Sequence, residues 1–228
     1  MTSAARKAFD KNIKDIERLL DLHNQIGGGQ KGRRYGLEVL NKSAIVLITS
    51  FWEAYCEDVA SEGLAHIVRN AKSADALPTE LKKQVAADLK RHNHELELWK
   101  VADDGWRKYL CDRLDTLREA RHRKLNTPKT ANINALFLST VGIQNISNSW
   151  RWAKKMTAKR AAEKLDRFVE LRGAIAHRGQ HSDTVKRVQV EDYFDFVKKL
   201  AAKTGGNVNT HVKAITEKPL WTREPGDP

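Results

Sequence analysis

The chain has 228 residues, 40% of them hydrophobic and 31% charged, which suits a soluble protein with one good core, two domains at most. Lys and Arg outnumber Asp and Glu by 41 to 29, a net charge of +12. That balance favours polyanionic partners, nucleic acid first among them, and the alternative is charge kept for solvation alone. No apolar run approaches the roughly 20 residues of a bilayer span, so no membrane partner is expected. Met1 to Lys7 has no apolar stretch behind it that would make a secretory signal. Cys56 and Cys111 are isolated and form neither a disulfide framework nor a metal motif. The expectation is a cytoplasmic protein with free thiols, no metal and no cofactor.

Residues 4 to 26 predict a first helix, with Phe9, Ile13, Ile16, Leu19, Leu20 and His23 at helical spacing. Gly27 to Gly29 and Gly32 then break it. This glycine cluster lacks the Gly-Lys-Ser/Thr ending and the preceding strand of a phosphate loop, so it reads as a helix-helix link. Residues 1–32 are therefore set apart as an N-terminal helix and link, before a helical domain over 33–216. A long central helix is expected from Arg33 to about Arg69. Its middle, Ser43 to Val59, is apolar almost all round, as in a helix buried on several sides. Glu53 interrupts that middle.

After a break at Ser73 to Thr79, with Pro78 as a first-turn residue, helical patterning runs from Glu80 to about Arg91. It continues through Leu96, Leu98, Trp99, Trp106, Tyr109, Leu110, Leu114 and Leu117. Arg118, Arg121, His122, Arg123 and Lys124 form a basic cluster that suits either a solvated helix end or phosphate contact. A turn at Asn126 to Lys129 leads to a short helix from Asn132 to Val141, ended by Gly142. Asn145 to Ser149 reads as polar loop. Trp150, Arg151, Trp152, Lys154 and Lys155 interleave aromatic and basic residues. Tryptophan beside cations serves base stacking with phosphate binding, and tryptophans also pin loops to cores.

The next helix, from about Thr157 as N-cap to Gly179, holds the main chemical clue. Leu165, Phe168, Val169, Ile175 and Ala176 mark its buried stripe, and Arg172 falls on that stripe. A buried guanidinium without compensation costs several kcal/mol, so Arg172 needs a carboxylate, a cleft or a ligand. Glu53 is the candidate carboxylate. His177 follows in the last turn, and Gly173, one turn before it on the same face, leaves room for a partner or substrate. A last helix runs from about Val190 to Ala202, with a possible resumption beyond Gly205 and Gly206. Residues 217–228 are assigned to a disordered tail. No strand pairing or fixed-period repeat is visible, and the fold class expected is an all-α bundle.

An arginine fork that binds phosphate and a histidine able to move a proton near neutrality suffice for RNA cleavage by its own 2′-hydroxyl. A base activates that hydroxyl, a cation stabilises the phosphorane and an acid protonates the leaving oxygen. Two histidines are needed for both proton transfers, and a two-fold dimer would supply them. The spacing alone is weak, because Arg18 and His23 repeat it.

The segment Phe168-Val-Glu-Leu-Arg-Gly-Ala-Ile-Ala-His-Arg-Gly179 resembles the Arg-x4-6-His motif of HEPN domains, closest to the RiboL-PSP-HEPN subfamily. Thr49 to Asp58, with its Glu-Ala-aromatic core, is similar to that group's acidic helix. Asn126-Thr-Pro128, Asn132 to Phe137 and Val141-Gly-Ile143 resemble its middle region. The resemblance implies a homodimeric helical bundle and, often, a metal-independent endoribonuclease of toxin-antitoxin or phage-defence systems, with an antitoxin or defence protein as partner. It implies Arg172 and His177 as the catalytic pair and Glu53 as a structural or orienting acid; the residues themselves add Gly173 and Arg178 as supporting positions. Gly173 departs from the family's usual polar residue. Some members are non-catalytic, which keeps open an interaction module in which Arg172 is a structural ion-pair residue.

Overall fold

In the computed structural model the protein is described over residues 3–27, 37–91, 95–120, 127–152, 154–178 and 185–221, without the side chains of residues 95, 116–120, 177 and 178. The described residues form helices and no strand. These are α1 (Ala4–Gly27), α2 (Glu38–Asn70), α3 (Thr79–Arg91), α4 (Gly105–Ala120), α5 (Thr130–Val141), α6 (Ala158–Arg178) and α7 (Arg187–Thr216). Short 3-10 turns at Ala74–Ala76, Glu95–Val101 and Ile146–Ser149 join some of them. None of the described helices is long and apolar enough to cross a membrane.

The all-α architecture follows from α2. Its buried residues include Ile45, Ile48, Trp52, Cys56, Val59, Ala60, Leu64 and Ile67, which lie on several faces, so neighbours must surround it. α1, α4, α5, α6 and α7 all pack against it. Gly63 lets two neighbours come close: a Cβ there would lie 2.9 Å from Val141 of α5 and 3.2 Å from Val208 of α7.

α2 and α7 run parallel, tied at three successive levels. Asn41 donates to the Val185 carbonyl at 2.9 Å, the Thr49 and Tyr193 hydroxyls meet at 3.0 Å, and Tyr55 donates to the Ala201 carbonyl at 2.8 Å. α6 meets α7 through Phe168, stacked on Tyr193 at 4.0 Å, and through Lys164, paired with Asp192 at 2.6 Å and 4.8 Å from the Phe196 ring. α6 also starts α5: Asp166 accepts the Thr130 amide at 2.7 Å, in place of a local cap. Gly142, at φ +76, ends α5 in the left-handed conformation that glycine adopts without strain.

Several expectations are revised. α1 is no separate unit, because Phe9, Ile13 and Ile16 enter the common core and Glu62 of α2 accepts the Ala5 amide at 2.8 Å. The expected run through Leu96, Leu98 and Trp99 is a 3-10 turn with those side chains exposed. A 3-10 turn stacks residues three apart, so helical spacing misled there. α7 does not stop at Ala202 but passes unbroken through Gly205 and Gly206. Part of the expected tail is docked: the Trp221 amide donates to Asn209 at 3.2 Å, and Trp221 packs over Gly205. The Gly28 to Gly32 link, the expected start at Arg33, the Gly179 cap and residues 222–228 lie outside the described residues.

Candidate functional site

Three helices bring the relevant groups together. α6 presents Arg172 one turn after Phe168, and Phe168 is locked face to face on Tyr193 of α7. That stack fixes the rotation of α6 about its axis and so turns Arg172 inward. Its side chain is half-buried. On α2, Glu53 and Glu57 are one turn apart, both half-buried.

The electrostatics show that these groups feel one another. Burial first and Glu57 second push the Glu53 carboxyl up to about 7, against the opposing pull of Arg172. Burial likewise raises the Tyr193 phenol, offset by its hydrogen bond to Thr49 and by Arg172. Arg172 is thus a cation shared among Glu53, Tyr193 and their surroundings. Desolvation outweighs its pull on Glu53, which leaves that carboxyl poised to gain or lose a proton near neutrality.

The remaining expected site residues divide clearly. His177 lies in the last turn of α6, and its backbone places it there; the side chains of His177 and Arg178 are outside the described residues. A Cβ added at Gly173 would meet nothing within 4 Å, so the helix surface before His177 is open. Arg18, the arginine of the competing Arg18/His23 spacing, is exposed and pairs with Asp15 at 3.0 Å. Arg121, Arg123 and Lys124 lie outside the described residues.

Trp150 is fully buried, donates to the Thr204 hydroxyl at 2.9 Å and meets Trp52 edge-on. It packs the core and has no face for a base. Trp152 is half-buried, its ring 5.8 Å from Phe196. Arg151, Lys154 and Lys155 are exposed.

Two members of the Arg172 cluster, Glu57 and Tyr193, escaped the sequence reading. Glu57 follows Glu53 by one helical turn, a usable signal hidden by a helix apolar nearly all round. Tyr193 falls within the apolar pattern of the last helix and looks like plain core there, although a buried phenol needs a polar partner.

A family model for RiboL-PSP-HEPN matches residues 7–206. Nothing among curated proteins and nothing among solved structures matches the chain.

Proposed function

The chain belongs to the RiboL-PSP-HEPN family, and from that premise we propose that it is a metal-independent endoribonuclease working as a homodimer, with Arg172 and His177 as its catalytic pair. The observation that carries this reading is the placement of Arg172. A cation that must be compensated sits five residues before His177 on α6, beside an open surface at Gly173. In the proposed reaction one His177 removes the proton of the 2′-hydroxyl. Arg172 neutralises the charge that grows on the non-bridging phosphate oxygens. The His177 of the second copy protonates the departing 5′-oxygen. A two-fold axis near the end of α6 would set one histidine opposite the other. The setting proposed is a toxin or phage-defence system, with an antitoxin or defence protein as partner.

The proximity of Glu53 to Arg172 favours a second reading, an interaction module in which Arg172 serves only the fold. Cleavage of labelled RNA with EDTA present separates the two. The nuclease reading expects wild type to cut and His177→Ala to fall by about 100-fold or more, the usual scale for losing a general acid or base. Equal cutting by both, or none by wild type over several RNAs, would leave the module reading.

A further inference from the structure

The end of α6 remote from His177 carries a second surface that the reaction does not use. Arg151, Lys154 and Lys155 on the loop before α6, and Lys159 on its first turn, are all exposed. The same loop is anchored to α7 by Trp152 on Phe196 and by Trp150 on Thr204. Helical spacing from these anchors puts two more exposed cations on the neighbouring turns of α7. Lys203 directly precedes Thr204, and it lies two turns after Phe196, within about 20° of the same face. Lys199 is one turn before Lys203, exposed as well. Among the described residues none of these six cations forms an ion pair. Arg160 alongside folds back onto the Lys155 carbonyl at 2.9 Å, and the exposed Glu163 on the next turn pairs with none of them.

We propose that Arg151, Lys154, Lys155, Lys159, Lys199 and Lys203 form a docking surface for the phosphate backbone of RNA, separate from the Arg172 site. It rests on the reading of RNA as the ligand, and not on cleavage. Carbohydrate or neutral peptide would gain nothing from such a field, whereas a polyanion releases counterions on binding it. A lipid surface would need an apolar side chain to insert, and Trp152 is packed against Phe196 instead. From Ala158 to Arg172 α6 rises about 21 Å, roughly six phosphates at the axial spacing of a helical strand. The surface therefore holds RNA several nucleotides away from the bond to be cut. It contributes affinity without base readout.

The test is binding of fluorescein-labelled oligouridine, followed by anisotropy across a salt series in a His177→Ala background. The quadruple variant Lys154→Ala, Lys155→Ala, Lys159→Ala, Lys203→Ala should bind at least about 10-fold more weakly, with a salt slope shallower by about 2 to 3. The four corresponding Lys→Arg changes should keep the affinity, and the Tm of both variants should stay within about 2 °C. A triple Lys7→Ala, Lys11→Ala, Lys14→Ala change on α1 should leave binding as it was. Unchanged binding by the quadruple variant, an equal loss in the α1 variant, or lysine-dependent capture of phosphatidylserine vesicles without RNA binding would overturn the proposal. Lysine-dependent RNA binding by a wild-type chain that cuts nothing would support it while overturning the nuclease reading.

Discussion

Glu53 and Arg172 decide what kind of site this is. If the two formed a simple stabilising salt bridge, the carboxyl of Glu53 would sit below its ordinary range. It is instead pushed up to about 7, so burial and the neighbouring Glu57 outweigh Arg172. The sign for stability follows from proton counting. Between about pH 4.5 and 7 folded Glu53 holds a proton that the unfolded chain has lost. Stability therefore falls as pH rises through that window and stays reduced above it. Glu53→Gln removes the titration. It should raise Tm above pH 7 by roughly 2–4 °C, about 1 kcal/mol after allowance for solvent screening of a half-exposed group. Below the ordinary glutamate range the gain should vanish. A lower Tm for Glu53→Gln at every pH would show that the ion pair dominates. Arg172→Ala acts in the opposite direction, since it leaves Glu53 and Glu57 facing each other without that cation. It should cost about 1–3 kcal/mol, below the 3–5 of a fully buried pair, and more at high pH than at low. Arg172→Lys should recover most of that stability in a urea titration while still losing RNA cleavage, because an ammonium keeps the charge but not the fork.

At the scale of helices, adjacent glycines in α7 have opposite reasons to exist. A Cβ at Gly205 would come within 2.4 Å of the Tyr55 hydroxyl, whereas one at Gly206 meets nothing within 4 Å. Gly205→Ala should therefore destabilise by about 1–3 kcal/mol, through overpacking and the lost Tyr55 to Ala201 hydrogen bond. Gly206→Ala should stabilise by about 0.5–1 kcal/mol through helix propensity. Denaturant midpoints of the two variants check both signs, and equal shifts would contradict the packing described. The same glycines explain where sequence reading stopped short. A Gly-Gly pair signals a break locally, and only contact with Tyr55 and Trp221 reveals the continuous helix. Leu96, Leu98 and Trp99 misled in the other direction, since apolar spacing cannot tell a 3-10 turn from an α-helix. The buried stripe of α6 and the charged intruder on α2 were legible, because a charge inside an apolar pattern needs a partner whatever the fold. Which face of α2 carries Glu57 was not, since α2 is buried nearly all round.

Across the whole molecule the proposed chemistry lies at two ends of α6. Arg172 and His177 occupy its C-terminal part, where α2 and α7 supply Glu53, Glu57 and Tyr193. The exposed lysines of the proposed docking surface gather at its N-terminal end, and the net charge of +12 attracts polyanions at long range. Pairing of two copies would complete the proton transfers that one His177 cannot perform alone. The most direct test of the central claim is the end group left on RNA cut under single-turnover conditions in EDTA. The account predicts a 2′,3′-cyclic phosphate from wild type, formed at a rate at least about 100-fold above that of His177→Ala. Ends bearing a 3′-hydroxyl, or a cyclic phosphate produced as fast by His177→Ala, would contradict it.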